Sequence, residues 1–195
     1  MSELNSNLSQ AELTAMTQEL LAAPDVTVLG IGNIVLLDEG FGVRAAEALD
    51  AAYEMPDNVQ ILDGGTLGME LMRFIPGTQK LLIIDSINGG AEPGTIFRFT
   101  DREVMEHFND KLSAHEVGIQ DVLAFLKVTG HEIPKVVVIG AQPYKLGAGV
   151  DLSPEMEQLL PRMVELAVQE LQAWGIEPQK RLQYKELDLK STRIF

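Results

Sequence analysis

The segment Val26-Thr-Val-Leu-Gly-Ile-Gly-Asn-Ile-Val-Leu-Leu-Asp-Glu39 decides how the rest of the 195-residue chain is read. Its β-branched and aliphatic start reads as a short strand. The break at Gly30 and Gly32 carries backbone close to whatever lies at the strand's carboxyl end. Two adjacent acids, Asp38 and Glu39, then stand where a helix should begin. Carboxylates in that place bind a cation, activate water, or merely answer the dipole of the following helix. The glycines begin like a dinucleotide fingerprint, but the sixth position is Val35, and no Gly-Lys-Ser/Thr ending follows. A turn that lets backbone pass close to a site is the better account.

Outward from this segment, strands and helices alternate. A helix is expected over Gly42–Tyr53, then a strand over Val59–Leu62 closed by Asp63-Gly-Gly-Thr66, and a helix near Leu67–Phe74. Lys80–Asp85 is an unbroken apolar run of the kind covered on both faces of a sheet. Thr95–Phe99 reads as a short edge strand, and Lys135–Gly140 as another buried one. Capping boxes at Thr100/Glu103 and Ser113/Glu116 open two further helices. Ser153-Pro154 starts the last helical stretch, which Pro161 should kink or divide and Gly175 should end.

This alternation predicts a three-layer α/β fold: a twisted, mostly parallel central sheet of about five strands with helices on both faces. Residues 26–175 form the single domain. Residues 1–25, with a helix over 11–22, read as an extension, and 176–195 as a tail. Ligands in such folds collect outside the carboxyl ends of the strands. That rule selects the loops after Gly30, Leu62, Asp85 and Gly140, and the first three carry acids.

Hydrophobic residues make up 46% of the chain and charged residues 23%, an ordinary globular composition. A net charge of −14 argues against a nucleic-acid partner and against an anionic membrane surface. The absence of cysteine excludes disulfides, thiolate metal sites and cysteine nucleophiles. No secretory signal and no membrane-length apolar run is visible, so a cytoplasmic protein is expected. Of the three histidines, His107 and His131 read as solvated. His115 falls in the first turn of a capped helix, aimed at the strand ends, either as a ligand or as a plain capping-region residue.

Taken singly, Asp63 is also good turn chemistry and Asp85 also a good loop anchor. Together, one imidazole and two carboxylates make a mixed nitrogen and oxygen set suited to a divalent transition metal. Three such ligands leave positions open for substrate.

Four segments carry a resemblance. Leu29-Gly-Ile-Gly-Asn-Ile-Val-Leu-Leu-Asp-Glu-Gly-Phe-Gly-Val-Arg44, Leu62-Asp-Gly-Gly-Thr-Leu-Gly-Met-Glu-Leu71, Leu82-Ile-Ile-Asp85 and Ser113-Ala-His-Glu-Val-Gly-Ile-Gln-Asp-Val-Leu123 resemble, in this order, the hydrogenase maturation endopeptidases. The resemblance spans about residues 26–175. It implies removal of a carboxyl-terminal extension from the nickel-loaded large-subunit precursor of a nickel–iron hydrogenase, with the substrate's nickel as the recognition element. By matching motifs it implies Glu39, Asp85 and His115 as metal contacts. Zinc or cadmium would be able to occupy the same site. Asp63, Gly64, Gly65 and Thr66 are implied in substrate recognition, and Glu39 or Asp38 would take a proton from water. The chain is expected to work as a monomer. Rival expectations are a self-contained zinc-type metallohydrolase and a non-enzymatic nickel chaperone or assembly factor.

Overall fold

β-Branched and aliphatic side chains, interrupted only at Gly30, make up strand β1, Val26–Ile31, which is buried along its whole length. The structure, a computed structural model, describes residues 24–75, 77–101, 103–104 and 114–182, with only the backbone of 114–118 and 120. The expected helix over 11–22, His107, and the chain beyond Leu182 lie outside the described residues.

After β1 the chain makes a single 3-10 turn, Asp38–Gly40, and enters helix α1, Phe41–Ala52. A two-residue strand β2 (Tyr53–Glu54) leads to β3 (Val59–Gly65), longer than the sequence pattern suggests because its ladder with β1 continues through Asp63-Gly-Gly. The helix expected near Leu67–Phe74 is a 3-10 helix over Gly68–Arg73. Strand β4 (Lys80–Ser86) follows, then β5 (Ile96–Thr100), helix α2 (Ala114–Val128) and strand β6 (Lys135–Ala141). Half of the capping box at Thr100 is seen: its backbone N–H donates to Glu103 Oε2, and its hydroxyl donates to the same oxygen.

The last helical stretch is divided into α3 (Pro154–Glu157) and α4 (Leu160–Ala173), with Pro161 in the first turn of the second piece. The Ser153 hydroxyl caps α3 by accepting from the Met156 amide. Beyond Gly175, the opening of the expected tail does not hang free: strand β7 (Gln179–Lys180) pairs antiparallel with β2.

The central sheet has the order β3-β1-β4-β6-β5. The first four strands are parallel, and β5 is the antiparallel edge. One apolar layer packs Val26, Val28, Leu82, Ile84 and Val137 against α1 and α4. The other packs Leu29, Ile31, Leu81 and Ile83 against Ile119, Val122 and Leu126 of α2. Helices thus cover both faces, as the alternation of elements predicts. From β1 the chain crosses to β3 on one side and returns to β4 on the other, so the strand order reverses between β1 and β4. The crevice outside their carboxyl ends is the switch point at which such sheets bind ligands.

Candidate active site

The two walls of that crevice carry the acids singled out from the sequence. Asp85 is the penultimate residue of β4 and fully buried. Its Oδ1 accepts from the Ser86 amide at 2.7 Å. Glu39 lies in the turn after β1, and that turn packs against β4. Its carboxylate is half-buried and makes no hydrogen bond or ion pair with any other described residue.

Two glycines bring these walls together. A Cβ on Gly42, in the first turn of α1, would stand 2.1 Å from the Ile84 carbonyl oxygen and 2.3 Å from that of Ile31. The helix therefore starts in direct contact with the ends of β1 and β4, one residue before Asp85. Gly32 has φ +135°, and a Cβ there would stand 1.9 Å from the Glu39 carbonyl oxygen. The glycine pattern at the head of the chain thus serves close backbone approach.

Asp63, half-buried at the end of β3, accepts from the Gly65 amide at 2.9 Å, and Gly65 in turn accepts from the Gly32 amide at 2.9 Å. The Asp63–Thr66 segment is thereby stitched to the glycine turn beside the crevice, with Thr66 exposed.

His115 lies in the first turn of α2. Residues 129–134 lead from the far end of α2 into β6, so α2 runs back along the sheet and begins toward the carboxyl ends of the strands. The side chain of His115 lies outside the described residues. Among the described residues no three His, Cys, Asp or Glu side chains form a group that could hold a metal. His131 is exposed, in keeping with a solvated residue.

Asp38 is fully buried and behaves differently from its neighbour. Its Oδ2 accepts from the amides of Tyr144 and Lys145 at 3.0 and 2.7 Å and from the Ser153 hydroxyl at 2.9 Å. Its Oδ1 accepts from the Ser153 amide at 2.7 Å. Three of these donors meet Oδ2 and one meets Oδ1, so both carboxylate oxygens are engaged by donors of this protein. That is at odds with the expectation that Asp38 shares with Glu39 the task of taking a proton from water. Its partner loop, Tyr144–Ser153, lies in the loop after Gly140 that the strand-end rule selects, but no residue in it was singled out from the sequence.

The fold is an α/β sheet whose strand order reverses between β1 and β4, with Asp85 on β4 and Glu39 in the turn that packs against it. The family model for hydrogenase maturation proteases matches residues 43–170. The chain belongs to that family, and is a peptide-bond hydrolase. It is 44% identical over 156 residues to the hydrogenase expression/formation protein HupD of Rhizobium leguminosarum bv. viciae, covering 79% of this chain and 77% of that protein. It is 40% identical over 153 residues to the hydrogenase 2 maturation protease of Escherichia coli, covering 78% and 93% of the two chains. Among solved structures, the hydrogenase maturating endopeptidase HybD from E. coli superposes with a TM-score of 0.77 at 39% identity, over 80% of this chain and 97% of that one. The HybD maturation protease from Thermococcus kodakarensis gives 0.63 at 26% identity, over 74% and 97%.

Proposed function

We propose that the protein removes the carboxyl-terminal extension of the large-subunit precursor of a nickel–iron hydrogenase once nickel is in place, and that the nickel carried by this substrate is what it recognises. The observation that carries the reading is the placing of Glu39 and Asp85 on the two walls of one switch-point crevice, in a member of the hydrogenase maturation protease family. Glu39, Asp85 and His115 approach the substrate's nickel. Zinc or cadmium would compete for the same three side chains. The Asp63–Thr66 segment lines the approach of the precursor. The nickel ion polarises the scissile carbonyl. Glu39, whose carboxylate has no partner among the described residues, is the group that takes the proton from water. The enzyme works as a monomer in the cytoplasm. No helix among the described residues is long and apolar enough to cross a membrane.

The test is incubation with nickel-loaded and nickel-free precursor, read as mass lost by the precursor. Loaded precursor is shortened and nickel-free precursor is not; equal rates on both remove nickel from recognition. Asp85→Asn and His115→Ala each abolish shortening while thermal unfolding stays cooperative. Normal processing by either variant would withdraw the ligand assignment.

A further inference from the structure

Leu37 is one of two described non-glycine residues with a left-handed backbone, at φ 54° and ψ −122°. The Glu39 amide donates back to the Leu36 carbonyl at 3.4 Å, so Leu37 occupies the first central position of a tight turn, in a conformation that normally selects glycine. A leucine held there is strained, and the conformation persists only where the surroundings impose it.

The surroundings are the Tyr144–Ser153 loop. The Leu37 amide donates to the Gly149 carbonyl at 2.9 Å, the Asp38 amide to the Lys145 carbonyl at 3.3 Å, and the Gly149 amide to the Val35 carbonyl at 3.0 Å. The four hydrogen bonds to the Asp38 carboxylate close this contact from the side-chain direction. Charge-assisted bonds of this kind are about twice as strong as neutral ones. Asp38 is thus clamped to a distant loop, while the next residue, Glu39, has no hydrogen-bond or ion-pair partner among the described residues.

We propose that Asp38 is a positioning residue. By binding the Tyr144–Ser153 loop it holds the strained Leu37 turn closed and fixes where Glu39 stands in the crevice, and it exchanges no proton with substrate or water. The inference rests on the proposed function only for the part of its test that uses precursor.

That test compares wild type, Asp38→Asn, Glu39→Gln and the double variant by affinity for nickel-loaded precursor and by kcat and KM. Amide hydrogen exchange is followed in parallel on the enzymes alone. The amide of Asp38→Asn must turn a donor toward at least one donor of the loop. Exchange should accelerate at residues 36–40 and 144–153 and stay unchanged in β4 and β6, and kcat/KM should fall at least tenfold. Because Asp38 acts through Glu39, the double variant should bind precursor no more weakly than Glu39→Gln alone.

Losses that multiply in the double variant, or a kcat/KM for Asp38→Asn within twofold of wild type, would overturn the proposal. So would exchange that accelerates evenly over the whole fold. Should Asp38→Asn fail to fold, Ser153→Ala removes one of the four donors and is read in the same way, with a smaller loss. A wild-type enzyme that ignores loaded precursor would sink the function reading instead, and the exchange pattern would still decide whether Asp38 holds the turn.

Discussion

Asp38 and Glu39 are adjacent in sequence and opposite in circumstance, one held by four donors and the other without a hydrogen-bond partner among the described residues. Nothing in an Asp-Glu pair tells which is which, because the donors come from residues more than a hundred positions away. What the sequence does reveal at this scale is where acids follow strands: Glu39, Asp63 and Asp85 all stand at carboxyl ends. Gly42 is a sharper case, since its role is visible only once α1 is seen against the strand ends. Gly42→Ala drives a methyl into two backbone carbonyls that cannot swing aside. It should destabilise the fold by about 1–3 kcal/mol, the usual range for overpacking, as read by urea unfolding. Because Ile84 precedes Asp85, precursor cleavage should fall in the same variant even at temperatures where it remains folded.

Among the elements, those with long apolar runs were legible and those held by tertiary contacts were not. β1, β4 and β6 announce themselves because a strand covered on both faces needs apolar residues throughout. The division of the last helical stretch follows from Pro161, which lacks an amide and sits where none is needed. The pairing of β7 with β2 was not legible, since two residues carry no period.

The edge strand β5 faces the general difficulty of an edge, and one device that secures it is an ion pair. The Arg98 guanidinium meets both carboxylate oxygens of Glu170 on α4, and this contact raises the Arg98 pKa above its ordinary value. Arg98 is half exposed, so solvent screening limits the contribution. Arg98→Ala should cost no more than about 1 kcal/mol, and most of that difference should vanish in high salt. A loss larger than this, independent of salt, would mean that the arginine acts through packing of its stem.

For the molecule as a whole, the dominant number is the net charge of −14. Self-repulsion of that size opposes the compact state, and added salt screens it within about 10 Å at 0.1 M. The melting temperature should therefore rise as sodium chloride increases from about 0.02 to 0.3 M. An unchanged or falling value would show that the paired charges outweigh the unpaired ones. The doubly wound architecture was foreseeable because strand and helix alternate along the chain. The order of the strands was not, since periodicity says nothing about which side of β1 the chain returns to.

That return has a consequence during synthesis. Because β1 lies between β3 and β4, the walls of the cleft are contributed by stretches that leave the ribosome at widely separated moments. A nascent chain that has emerged only as far as Tyr53 holds Glu39 with nothing across from it, and the loop that steadies it is translated later still. Only when Ser153 has been translated are all the donors present that tie Asp38 to its loop.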